Sequence, residues 1–246
     1  MSIILATSRG ADLADHLPFG TTVKVMPGAK LQDLKDEAKK ILPPPSSRIV
    51  RRQHVYFLCG VPDLSTLQKN NSPKYRECIY NFEPLTKAQQ YQNQLRECRD
   101  EILRCGALPI FATIPKFNLE IYNNHLLAKN YTTYLQYQDD YKEMQTKLNT
   151  TIDSVNTYIY SLNKDTNVFT SFIHCSIMQR RGSHPNRYYV LQWEKFRDGL
   201  HASKSLSITW AEAFNKSMDK NCHLEDSDNE GSPKRSWRNS KRQRVE

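Results

Sequence analysis

Asp198 and His201 stand three residues apart in the run Arg197-Asp198-Gly199-Leu200-His201-Ala202-Ser203, just before a helical pattern. A serine hydroxyl becomes a useful nucleophile when an imidazole can take its proton and a carboxylate fixes that imidazole's tautomer and stabilises its cation. Asp198 and His201 suit those two roles, and Ser8 suits the third. The first apolar run, Ile3-Ile4-Leu5-Ala6, ends at Thr7-Ser8-Arg9-Gly10. Ser8 therefore falls at a strand-to-helix turn, where a nucleophile is exposed at the carboxyl edge of a sheet and backbone N–H groups face an oxyanion. The competing reading makes Ser8 a helix cap, Asp198 a cap of the last loop and His201 a packed side chain.

The elements that would bring these residues together follow from periodicity. Residues 22–26 read as a second strand closed by Pro27-Gly28, followed by a helix over 29–42 with Leu31, Leu34, Ala38 and Ile41 on one face. Residues 43–47 break it, and 54–59 form a third strand ending at Gly60-Val61-Pro62-Asp63. Strand after strand thus ends in a small residue and a turn, as at the ligand-binding edge of an open parallel sheet. Ala88, Tyr91, Leu95, Cys98, Ile102 and Cys105 predict an amphipathic helix after Pro84, with a fourth strand over 108–114. Residues 119–147 predict helix or helix plus loop; Leu148, Ile152, Val155, Ile159 and Leu162 predict another helix, and 168–173 a fifth strand. The next segment, 178–187, reads as a basic loop beside the site. Its Arg180, Arg181 and Arg187 fit either a solvated turn or a clamp for an anionic substrate or a phosphate backbone. Leu206, Trp210, Phe214 and Met218 mark a closing helix.

One domain over 1–220 and a polar tail over 221–246 are expected from 246 residues with 38% hydrophobic content. The formal charge of +9 favours contacts with polyanions, so RNA or DNA is a candidate partner beside an ester substrate. Six scattered cysteines show neither CxxC nor zinc spacing, so no metal is expected. The opening apolar run is too short for a leader or a membrane span, which favours a reducing intracellular location. Pro233-Lys234-Arg235 and Lys241-Arg242-Gln243-Arg244 resemble a two-cluster nuclear import signal.

Four blocks, Ala6-Thr7-Ser8, Pro27-Gly28-Ala29, Gly60-Val61-Pro62-Asp63 and Asp198-Gly199-Leu200-His201, stand in the order that resembles the SGNH (GDSL-like) hydrolase family. The resemblance implies a three-layer α/β/α sandwich on a mainly parallel five-stranded sheet, with Ser8 as nucleophile, Asp198 as orienting acid and His201 as base. It places the backbone N–H groups of Ser8 and Gly28 at the oxyanion, and Gly60 and Asp63 in the third block. It implies an esterase or deacetylase acting through an acyl-enzyme, with no cofactor. Two departures stand out: Ala6-Thr7 replaces the family's Gly-Asp, and Pro62 replaces an Asn whose side chain helps hold the oxyanion. Asn81, Asn118 or Asn186 is the candidate replacement. The charge and the Asp-Gly-Leu-His block look closer to versions of the fold found in mobile elements and viruses, some of which bind nucleic acid.

Overall fold

In the computed structural model, which describes residues 2–43, 52–71 and 73–229, four strands form one parallel sheet between two helical layers. In chain order, β1 (Ser2–Ala6) leads through two 3₁₀ turns to β2 (Thr22–Val25), α1 (Leu31–Ile41) and β3 (His54–Leu58). There follow α2 (Val61–Leu64), a hairpin of β4 (Thr66–Asn71) and β5 (Lys74–Ile79), α3 (Pro84–Arg104), β6 (Leu108–Phe111), α4 (Leu119–Ala128) and α5 (Tyr141–Asp165). A second hairpin, β7 (Met178–Arg181) and β8 (Tyr188–Leu191), precedes α6 (Lys204–Asn229). The sheet order is β2-β1-β3-β6, with Ser2 opposite His54 and His54 opposite Leu108.

Continuous apolar strands follow from burial on both faces. Ile3, Leu5, Val55 and Phe57 face a core shared with α1, α3 and α5, while Ile4, Ala6, Tyr56 and Leu58 face one closed by Trp210, Phe214 and Met218 of α6. All four strands run the same way, so the turns after β1, β2 and β3 gather at one edge.

The expected fifth strand is replaced. Residues 168–172 lie beside the end of β6 but give it only one backbone bond, from Thr113 N–H to the Ser171 carbonyl (3.1 Å), before a 3₁₀ turn over Ile173–Ile177. Side chains have taken the ladder's groups. Asn221 accepts from Phe169 N–H (2.6 Å), and both Asn221 and Ser217 donate to the Phe169 carbonyl. On the β6 edge, the Asn163 amide pairs with both the N–H and the carbonyl of Phe111, and the Asn156 amide does the same at Ile114. An amide side chain thus imitates one residue of a neighbouring strand. Asn123 treats Cys78 in β5 identically (2.7 and 2.8 Å).

The same Asn221 corrects the expected tail boundary: it is buried, it also donates to the Tyr56 hydroxyl (3.1 Å), and α6 continues to Asn229. The two basic clusters of the tail lie outside the described residues. Residues 178–187, expected as a loop, form most of the β7–β8 hairpin, and the β4–β5 hairpin was not expected at all. The latter is tied down by Glu77, which is fully buried and accepts from the Tyr75 and Tyr141 hydroxyls (2.5 Å each) and from Gln136 and Tyr137 N–H. No helix is long and apolar enough to cross a membrane among the described residues.

Candidate active site

The Asp198-Gly199-Leu200-His201 turn organises itself around its own carboxylate. Asp198 Oδ1 accepts from the backbone N–H of Leu200 (3.0 Å) and of His201 (2.7 Å), which folds the segment so that Oδ2 meets His201 Nδ1 at 2.7 Å. Gly199 makes this possible, with φ +82° and space so tight that a Cβ would stand 2.9 Å from Ile121 side-chain atoms and Tyr122 N. Burial pushes the Asp198 carboxyl up, but hydrogen bonds from the His201 ring and the two backbone N–H groups outweigh it and hold the acid at about 2. Ionised Asp198 accepts only, so Nδ1 carries the imidazole proton and Nε2 presents a lone pair. Ser8 Oγ lies 3.1 Å from Nε2. The structure thus brings Ser8, His201 and Asp198 into one hydrogen-bonded chain, across 193 residues of sequence.

Ser8 opens the first 3₁₀ turn after β1, whose register against β3 is continued by Thr7 N–H donating to the Leu58 carbonyl (3.0 Å). Arg9, which sequence reasoning left without a role, turns inward. Its Nη1 donates to the Pro115 carbonyl (3.0 Å) and its guanidinium lies 5.3–5.9 Å from the ring centres of Trp210, Phe196 and Phe117. Burial lowers its pKa to about 9 while the charge of Asp198 opposes the fall, so a cation is fixed behind the acid at neutral pH. A basic residue directly after Ser8, just past the first apolar run, was the available signal.

Ser8 and His201 open into a cleft of about 470 Å³. Gly28 lines it from the turn after β2, with φ +75°, and Val61, Pro62, Leu67, Tyr122 and Leu200 give it an apolar wall. Neither Ser8 nor Gly28 donates its backbone N–H to a backbone acceptor among the described residues. Pro62 occupies the wall with no donor to offer. None of the expected replacements lines the cleft: Asn118 caps α4 by accepting from Ile121 N–H (2.9 Å), Asn186 sits at the tip of the β7–β8 hairpin, and Asn81 borders a different cavity. Arg180, Arg181 and Arg187, expected beside the site, also lie in that hairpin and do not line the cleft. No group of three His, Cys, Asp or Glu side chains is placed to hold a metal among the described residues.

The other third-block residues serve the scaffold. Gly60, at φ +113°, lets Ile114 pack where a Cβ would approach Cδ1 to 2.4 Å. Asp63 is buried, and both carboxyl oxygens accept from Leu31 N–H (3.1 and 3.2 Å) at the start of α1, which fastens the turn carrying Gly28. Burial raises its pKa to about 6 against the Leu31 hydrogen bond and the charges of Lys30 and Lys87. An acid raised above its unfolded value of about 4 contributes stability below that pH and loses it as pH rises through 6. Asp63→Asn keeps an acceptor for Leu31 and removes the buried charge. It is expected to be more stable than wild type at pH 8, on the order of 2 kcal/mol, and equal to it at pH 4. Thermal unfolding at the two pH values checks this; a gap of the same size at both would refute it.

The sequence matches no protein-family model and no curated protein. Its backbone does match solved structures. A GDSL-like lipase from Bacteroides thetaiotaomicron superposes with a TM-score of 0.52 at 10% identity, over 92% of this chain and 88% of that one. A member of the lipolytic protein G-D-S-L family from Veillonella parvula gives 0.52 at 8% identity, over 89% and 98%. An acetyl xylan esterase gives 0.50 at 12%, over 87% and 98%. The fold is the α/β/α arrangement these proteins share, with a four-stranded parallel sheet in this chain.

Proposed function

We propose that this chain is a serine esterase of the SGNH type, acting on small esters through an acyl-enzyme. The observation that carries the reading is the continuous contact from Ser8 Oγ to His201 Nε2 and from Nδ1 to Asp198, opening on a cleft of ligand size. In this mechanism Ser8 Oγ attacks the ester carbonyl as its proton passes to His201 Nε2, and Asp198 stabilises the imidazolium. The Ser8 and Gly28 N–H groups receive the oxyanion. His201 then protonates the departing alkoxide, leaving acyl-Ser8, and a water molecule deprotonated by His201 releases the acid and restores the hydroxyl. The apolar wall and modest volume favour a short acyl group. The fold shared with the GDSL-like lipase and the acetyl xylan esterase supports the same chemistry.

The pH dependence tests it. Asp198 stays ionised until about 2, so the carboxylate that orients the imidazole is in place at every pH above about 3. The kcat/KM of Asp63→Asn for p-nitrophenyl acetate, free of the Asp63 titration near 6, is expected to fall with unit slope on the acid side, without a second break above about pH 3. A flat acid limb, or one of slope two, would count against this site as the catalyst.

A further inference from the structure

The β7–β8 hairpin carries side chains that neither the fold nor the cleft uses. Directly opposed residues of an antiparallel pair share a face. Met178 and Leu191 pair at the base and pack against the core beneath α6, and beyond them Arg180 faces Tyr189 while Arg181 faces Tyr188. Tyr188 and Tyr189 are 59% and 63% exposed, and Val190 is exposed beside them. The segment 178–193 contains Arg180, Arg181 and Arg187 but no Asp or Glu. None of the three guanidinium groups makes an ion pair among the described residues. A solvated hairpin has no need of two bare tyrosine rings, and surface aromatics grouped with unpaired arginines mark an interaction site.

We propose that this ribbon binds single-stranded nucleic acid. Each face pairs one flat ring with one guanidinium, the combination that stacks a base and holds the phosphate beside it. Arg187 adds a third positive charge next to Tyr188 at the tip. Unstacked bases are what the rings can engage, since a duplex buries its base faces in its own stack. The ribbon lies outside the cleft lining, so binding is independent of Ser8 and of ester hydrolysis.

The test uses the full chain and the fluorescence anisotropy of a labelled mixed-sequence single strand of about 16 nucleotides at about 50 mM salt. Wild type and Ser8→Ala are expected to bind alike. Arg180→Gln with Arg181→Gln should weaken binding about tenfold or more and make the dependence of log affinity on log salt shallower by about 1.4, two phosphate contacts' worth. Tyr188→Ala with Tyr189→Ala should weaken it by about tenfold or more with the salt slope unchanged. Unaltered melting temperatures would show that both double variants fold. The proposal is overturned if wild type does not bind, or if the variants bind as wild type does, which would place the affinity in another basic segment. It is equally overturned if a duplex of the same length binds as tightly, or if a polyglutamate of equal charge displaces the strand equally well, which would assign the ribbon to an acidic protein.

Discussion

Ser8→Ala is expected to reduce kcat for p-nitrophenyl acetate by at least about 10³-fold while leaving the melting temperature almost unchanged. Removing the nucleophile of a complete triad costs about 10⁶ in a well-endowed hydrolase. In the proposed mechanism the oxyanion has backbone donors only, so the starting rate is lower and the measurable drop before background hydrolysis takes over is smaller. Stability should hold, because among the described residues the Ser8 hydroxyl makes one hydrogen bond, to His201, at the half-buried mouth of the cleft. The core around β1 does not depend on it. A variant that lost activity and unfolded together would not support the assignment; a folded variant that kept the wild-type kcat would refute it.

The second large effect runs the other way. Pro62→Asn is expected to raise kcat by about 10²-fold with little change in KM, because a third oxyanion donor is typically worth 10²–10³ in rate. The position accepts the change: Pro62 lies in the first turn of α2, where a backbone N–H has no intrahelical partner, so restoring that N–H disturbs no hydrogen bond. The cost is the lost rigidity of proline in the unfolded chain, about 0.5–1 kcal/mol of stability. Initial-rate kinetics on both forms decide the matter. An unchanged kcat would mean that Pro62 is not where the oxyanion forms.

Why the triad was legible and its surroundings were not has a physical basis. Ser8, Gly28 and the Asp198–His201 turn all follow apolar runs or precede a helical pattern, so periodicity placed them at loop positions, and the order of the four family-like blocks placed them together. The three-residue spacing in Asp-Gly-Leu-His carries its own geometry, because the carboxylate that orients the imidazole also builds the turn through Leu200 and His201 N–H. The fifth strand misled because its apolar pattern, Val168 to Ile173, is genuine. What periodicity omits is that Asn163 and Asn156 already fill the hydrogen-bonding edge of β6, and that Asn221 and Ser217 claim the backbone of Phe169. A lone buried Asn on a helix face reads as a solvated residue until its partner strand is known. Arg9 was overlooked for the same reason, since its aromatic surroundings come from residues more than 100 positions away. The β4–β5 hairpin did leave a signal, since the sequence carries the turn-prone run Asn70-Asn71-Ser72-Pro73 followed by Tyr75, Glu77 and Ile79 at alternate positions, but a buried Glu in an alternating strand weakens the hydrophobic pattern.

Everything proposed for the cleft requires Ser8 to be an activated nucleophile. Incubating the folded chain with a fluorophosphonate, and locating the adduct by peptide mass spectrometry, asks this directly, because the reagent needs both a serine oxygen made basic by its imidazole and donors for the phosphoryl oxygen. One phosphonyl group per chain, on Ser8, is the predicted result, absent from Ser8→Ala and much slower to form in His201→Ala. Wild type that stays unmodified while folded, or that is modified elsewhere with Ser8 untouched, would contradict it.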